Sequence, residues 1–138
     1  MKRILASLLL LVIISSCSLG FAADLQPKAS ELIIDTAIYA FDYGGGSIAF
    51  ATDITTYTAV DQLGFSSLKL QEKQVSDWVT VKSATNKYAY NTGLYSYSLS
   101  YNGTKGNKYR FVVKYYAKDG SVSDSLTVTS STLTAKRS

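Results

Sequence analysis

Two stretches of strict alternation most constrain what this chain can fold into. Residues 95–101 read Y-S-Y-S-L-S-Y, with an aromatic or apolar side chain at every second position and serine between them. Residues 109–116 alternate in the same way, with Tyr109, Phe111, Val113 and Tyr115 in one register. Successive side chains of a β-strand point to opposite faces of a sheet, so this period of two indicates strands with one buried face.

Similar strands are expected elsewhere, separated by turn-forming residues. Gly44-Gly45-Gly46, the Asn- and Gly-rich residues 102–107, and Asp119-Gly120 are the clearest turns. No segment shows sustained helical periodicity. The remaining strands are predicted near residues 36–43, 48–54, 65–71, 78–81 and 122–128. The pattern predicts an all-β domain, a single seven-stranded antiparallel β-sandwich.

The amino-terminal residues predict export. Lys2 and Arg3 precede an apolar run over residues 4–14, and small residues follow it, which is the pattern of a secretory signal peptide. We assign residues 1–22 to the signal peptide, with cleavage after Ala22. Residues 23–35 are then a flexible lead-in, 36–134 the β-sandwich domain and 135–138 a polar tail. The alternative is lipidation at Cys17, which would tether a protein otherwise secreted at the outer face of the membrane.

Charge and composition limit the partners of the mature chain. The chain has 14 basic and 10 acidic residues, and loss of Lys2 and Arg3 with the signal peptide leaves a net charge of +2. Because no run of lysines is present, we expect no nucleic-acid partner. The apolar run is shorter than the roughly twenty residues of a membrane-spanning helix, so no transmembrane anchor is expected in the mature form.

The mature chain is expected to be non-enzymatic, with no cofactor and no metal site. It has no histidine, and the only cysteine is Cys17, which removes most catalytic and zinc-binding options. Ser66-Ser67-Leu68-Lys69 matches S-x-x-K formally, but it lies on a predicted strand rather than at a helix start. No catalytic residue is assigned.

Tyrosine is the most informative residue type, and all eleven tyrosines lie beyond Ala22. Tyrosine and tryptophan join a large flat surface to a polar group, which suits them to sugars and to protein partners. Alternation predicts that six tyrosines lie on inner faces: Tyr39, Tyr95, Tyr97, Tyr101, Tyr109 and Tyr115. The candidate binding residues are Trp78, Tyr88, Tyr90 and Tyr116. The three tyrosines are expected to be exposed, whereas Trp78 could lie either on the surface or in the core.

Residues 108–125, K-Y-R-F-V-V-K-Y-Y-A-K-D-G-S-V-S-D-S, resemble the last two strands of fibronectin type III and related immunoglobulin-like domains. In those domains a tyrosine opens the penultimate strand, and its hydroxyl anchors the preceding corner. The resemblance implies that role for Tyr109 and a core position for Trp78.

Over nearly its full length, the chain is also similar to small secreted proteins of Gram-positive bacteria that share a domain of unknown function. Leu25-Gln26-Pro27-Lys28, the L-K-L-Q stretch from Leu68, the region of Trp78 and the Y-R-F strand carry this similarity. The similarity implies export and a β-rich fold, and it brings no activity with it.

These observations favour a secreted, non-catalytic module that binds an extracellular protein or a glycan. The alternative is a structural or matrix protein of the cell surface that associates with itself through its sheet edges. The sequence assigns no oligomeric state.

Overall fold

The computed structural model describes residues 31–136, which form six antiparallel strands and no helix. The prediction of an all-β chain is confirmed. The predicted signal peptide and both proposed processing sites lie outside the described residues. The strands are β1 (Ile33–Gly44), β2 (Ser47–Gln74), β3 (Asp77–Asn102), β4 (Lys108–Asp119), β5 (Val122–Thr129) and β6 (Leu133–Thr134).

The strand count differs from the predicted seven because two strands are very long. β2 has 28 residues and β3 has 26, and each continues through two of the predicted strands. Where turns were expected, the chain has bulges: Thr55 pairs with Leu94 and Val60 with Thr92, so four residues of β2 face one residue of β3. Bulges bend a strand without ending it. The described strands therefore belong to a single curled sheet.

Strand β2 is shared by two halves of this sheet. It pairs with β3 along almost its whole length. Its other edge pairs first with β1, over residues 47–56, and then with β4, over residues 62–72. We call β1 with residues 47–56 and 94–102 the first half, and residues 60–74 and 77–92 with β4, β5 and β6 the second half.

Two of the hairpin turns have very different residues. The β1–β2 turn uses Gly45 and Gly46 at φ of 64° and 89°, a conformation natural to glycine. The β2–β3 turn instead puts Val75 at a φ of 47°, with its side chain fully exposed. A β-branched residue is rarely found there, so this turn is strained.

The core lies where the inner faces of the two halves meet. Phe50 of β2 packs against Phe111 of β4 with ring centroids 5.5 Å apart, and Phe65 packs against Tyr95 at 5.4 Å. Thr52 and Tyr115 share a buried hydrogen bond of 2.6 Å between their hydroxyls. Burying each large side chain contributes about 1.5–3 kcal/mol, so these contacts between the halves hold the curl.

Five of the six tyrosines predicted to face inward do so. Tyr109 and Tyr115 are fully buried, and Tyr95, Tyr97 and Tyr101 are half-buried against the core. The prediction for Tyr39 is wrong, because it lies opposite Ala51 on the outer face and is 47% exposed. Alternation showed that Tyr39, Phe41 and Tyr43 share a face but did not show which face is buried.

Both ends of the described chain are held by the sheet. The Leu32 amide donates to Asp124, and β1 begins at Ile33, earlier than the expected residue 36. Ala135, where the polar tail was expected to start, is buried, and its amide donates to the Asn107 carbonyl at 2.9 Å. The Lys136 amide donates to Asp42. These backbone contacts extend the ordered domain beyond its predicted limits.

Candidate functional site

Three of the four predicted binding aromatics lie together on the outer face of the second half. Tyr88 and Tyr116 both pair with Gly64, from opposite sides of β2, and Tyr90 follows on β3. Trp78 pairs with Lys73 on the same face. Nine positions of β2 separate it from the tyrosines, about 30 Å at the usual rise of a strand. The four aromatics thus mark two ends of one surface.

Gly64 lets the two tyrosines meet across the middle strand. Their ring centroids are 5.7 Å apart with planes inclined at 63°, an edge-to-face contact. A Cβ atom on Gly64 would lie 2.1 Å from the Lys87 carbonyl oxygen. Burial raises the pKa of the Tyr88 hydroxyl, and the neighbouring Tyr116 and Tyr90 raise it further. Tyr90 itself is 65% exposed and leaves a ring free for contact.

Trp78 is held by cations rather than by the core. The Arg110 guanidinium lies 4.3 Å from the centre of its ring, and the Lys73 ammonium lies 5.5 Å away. Arg110 Nε also donates to Gln71 Oε1 at 2.8 Å. Trp78 is half-buried and lies outside the hydrophobic core, so the core position implied by the resemblance is wrong. The stacked arginine fixes the ring against the sheet.

The same outer face carries a cluster of cations. Pairing places the outward-facing residues of β2 and β4 side by side: Lys69 lies diagonally next to Lys114, about 7–8 Å away between Cα atoms. Arg110, Lys114 and Lys118 follow one another on β4 at every fourth residue, about 13 Å apart. We call this surface the basic face, with the cations Lys69, Lys73, Arg110, Lys114 and Lys118.

No carboxylate stands among these cations. The outward positions of β3 and β5 that border them carry hydroxyl groups, and among residues 31–136 none of the five cations forms an ion pair. Charges separated by more than about 8–10 Å are largely screened at physiological salt, so each of these cations acts mainly on groups close to it. The bordering hydroxyl residues are Thr80, Ser83 and Thr85 on β3, and Ser123, Ser125, Thr127 and Thr129 on β5.

Sequence reasoning found the aromatic residues of this face and missed its charge. The lysines do not form a run, because a strand exposes only every second residue. The relevant pattern was R-F-V-V-K-Y-Y-A-K over residues 110–118, in which Arg110, Lys114 and Lys118 share one parity. Counting cations by strand parity would have found it.

The buried acid Glu72 has a structural role. Its two carboxylate oxygens accept hydrogen bonds from the Tyr109 hydroxyl at 2.8 Å and the Asn107 side-chain amide at 2.9 Å. The Tyr109 hydroxyl in turn accepts from the Thr104 amide at 2.8 Å, so it anchors the preceding loop as the resemblance implied. Burial raises the pKa of Tyr109, and the hydrogen bond to Glu72 adds to this. The network ties the β3–β4 loop to β2.

Within residues 31–136, the side chains are not arranged for serine catalysis or for metal binding. Ser66 Oγ donates to the Lys114 carbonyl, so the S-x-x-K match does not pair a serine with Lys69. No group of three or more acidic side chains in this part of the chain could hold a metal ion.

Among the described residues, there is no helix with the length and apolar character needed to span a bilayer. A scan against known protein families finds no match for the chain, and a search of curated proteins finds none either.

Proposed function

We propose that this protein is an exported, non-catalytic module whose basic face binds an anionic polysaccharide. The observation that carries the proposal is the outer face of the second half, with five cations, no carboxylate and an exposed tyrosine. A sheet face of this kind attracts a polyanion by electrostatics, and the attraction falls with salt.

The composition of the face favours a polymer over a folded protein. Lysine is depleted at the centre of protein–protein interfaces, because its ammonium group holds water strongly. Here lysine occupies the middle strands, Lys69 on β2 and Lys114 on β4. An extended anionic chain meets such charges one after another and leaves them hydrated, while the bordering hydroxyls offer hydrogen bonds to sugars.

The finer fold assignment is part of the same proposal. An immunoglobulin-like or fibronectin type III-like β-sandwich is supported by the facing halves of the curled sheet and by the bond from the Thr104 amide to the Tyr109 hydroxyl. Export by a Gram-positive cell is supported by the residues of the proposed signal peptide, and it would bring the module to anionic wall or capsule polymers.

The test is binding of the mature protein to immobilised polygalacturonate, with uncharged dextran as the control polymer. Substituting Lys69→Thr together with Lys114→Thr should weaken binding about tenfold or more. Because two cation contacts are lost, the slope of log affinity against log salt should fall by about two. The matched control, Lys105→Thr with Lys136→Thr, removes the same charge from exposed residues outside the basic face and should leave affinity unchanged.

Three results would contradict the proposal. Equal binding to dextran would show that charge is irrelevant, and equal losses for both double variants would show that net charge alone acts. Tighter binding to single-stranded DNA of equal charge would make nucleic acid the better ligand. Replacing Tyr90 by alanine separates stacking from charge, because it should weaken sugar binding without changing the salt slope.

A further inference from the structure

The free edge of β3 carries an unprotected strand sequence. Within residues 31–136, β3 pairs only with β2, so its other edge has no strand beside it. Residues 94–102 of this edge, L-Y-S-Y-S-L-S-Y-N, contain no charge, proline or glycine. Such a segment on a sheet edge is a template for pairing with another strand.

The direction of the backbone groups on this edge follows from one hydrogen bond. The Gly103 amide donates to the Gly46 carbonyl of the adjoining β1–β2 turn at 2.9 Å. Since backbone groups alternate along a strand, Tyr101, Leu99 and Tyr97 also point toward β2. The amides and carbonyls of Ser96, Ser98 and Ser100 therefore point away from it, toward the free edge.

Two lysines from the other end of β3 cover this edge. Lys82 Nζ donates to the Ser100 carbonyl at 2.7 Å, and Lys87 Nζ lies 5.6 Å from the centre of the Tyr97 ring. They pair with Leu70 and Phe65, so both start from the inner side of the curl and reach across it. Inward-pointing charge at an edge strand is a known means of preventing strand addition.

We propose that residues 94–102 form a strand-addition site for a second copy of this chain, and that Lys82 and Lys87 keep it closed. The site lies on the first half and does not depend on the function proposed for the basic face.

A second copy fits this edge because the segment matches itself. Antiparallel pairing about a two-fold axis at Ser98 sets Ser96 opposite Ser100, and sets Tyr97 opposite Leu99, so that apolar side chains of the two copies meet on one face. The half-buried tyrosines of the edge would gain burial. The cations that this axis brings together are Lys82 and Lys87 of the two copies, so their repulsion and the occupied Ser100 carbonyl oppose the pairing.

The test is sedimentation velocity of the mature protein over a range of concentrations. The wild type should sediment as a monomer. Replacing Lys82 and Lys87 together by threonine should produce a dimer, with a dissociation constant at least about tenfold lower than that of the wild type. The matched control, Lys69→Thr with Lys114→Thr, makes the same change of charge on the basic face and should remain monomeric.

A second substitution identifies the edge. Adding Ser98→Pro to the Lys82 and Lys87 variant removes the outward amide at the axis and should restore the monomer. Ser98→Asp sets two carboxylates opposite each other and should do the same if the proline variant fails to fold. A double lysine variant that stays monomeric would overturn the proposal, as would a dimer that survives Ser98→Asp. A wild type that already dimerises through this edge would overturn the closing role of the lysines.

Discussion

The two halves of the sheet share β2 and β3, but the outer face of one carries an aromatic row and that of the other a cluster of cations. Residues 31–68 contain no lysine or arginine, and the outer face of the first half presents an exposed row of Tyr39, Phe41 and Tyr43 beside Ala49 and Ala51. The outer face of the second half presents five cations. Both faces lie on the far side of the sheet from the core, so the fold requires neither of them.

This difference supports the function proposed for the basic face. Like charges on neighbouring strands destabilise a sheet, and Lys69 and Lys114 are diagonal neighbours without a carboxylate between them. The first half avoids this arrangement with alanine and serine on the same strands. A feature that costs stability in one half, and is absent from the other, is more readily explained by a ligand than by folding.

The largest expected effect is the loss of stability when Gly64 of the second half is replaced by alanine, and Gly45 of the first half provides the comparison. Gly64→Ala should lower the free energy of unfolding by about 3 kcal/mol, because the new Cβ collides with the backbone of Lys87 beneath the Tyr88–Tyr116 contact. Gly45→Ala in the first half meets no atom within 4 Å and carries only the strain of a positive φ, about 1 kcal/mol. Urea denaturation measures both, and similar losses would mean that β3 moves aside at Gly64.

The next effect compares two buried hydroxyls. Tyr109→Phe should lower the free energy of unfolding by about 2 kcal/mol, because Glu72 and the Thr104 amide each lose a partner. Tyr115→Phe should cost about 1 kcal/mol, since Thr52 still donates to the Ala37 carbonyl. The same denaturation curves decide this, and a larger loss for Tyr115 would make the contact between the halves the dominant one.

Alkaline pH should lower the stability of the domain through these two tyrosines and Tyr88. Burial raises the folded-state pKa of Tyr88, Tyr109 and Tyr115 above the ordinary value of 10.0. The unfolded chain therefore releases these protons first, so stability is complete below pH 10 and falls as pH rises from there through the folded-state values. Thermal unfolding from pH 8 to 11 measures the fall. The fall of stability with pH should be shallower in the Tyr109→Phe and Tyr115→Phe variants. An unchanged slope would contradict the raised pKa values of these two tyrosines as its cause.

The smallest effect compares two positions of the turn between β2 and β3, one with a positive φ and one without. Val75→Asn should raise the free energy of unfolding by about 1 kcal/mol, because asparagine tolerates the positive φ that valine resists. Ser76→Asn at the neighbouring turn position is the control and should change little, since no positive φ is found there. Thermal unfolding would show a rise of a few degrees for the first variant alone.

The sequence was a good guide to faces and a poor guide to strand ends. Alternation correctly assigned Tyr95, Tyr97 and Tyr101 to an inner face, because a period of two depends only on the backbone. It could not show that Thr56 to Ala59 bulge rather than turn, since bulges have no fixed composition and depend on the opposite strand.

The candidate site was likewise half predictable. Tyr88, Tyr90 and Tyr116 were expected to be exposed, but Tyr88 and Tyr116 are half-buried against each other and only Tyr90 is exposed. The meeting of Tyr88 and Tyr116 over Gly64 depends on the register of three strands. Trp78 was implied to be buried, whereas Arg110 and Lys73 hold it on the outer face. These contacts join residues distant in sequence, and pairing had to be known before they could be seen.

The continuous course of β2 has a consequence for how the molecule responds to a ligand. No chain segment divides the halves, because one strand carries hydrogen bonds of both, and so they should melt as one cooperative unit. A polymer bound only to the basic face would then stabilise the whole domain and raise its melting temperature. At a free polymer concentration of a hundred times the dissociation constant, the added stability is about 2.7 kcal/mol. Occupancy at one end would be felt as protection at the other, although the ligand touches nothing there.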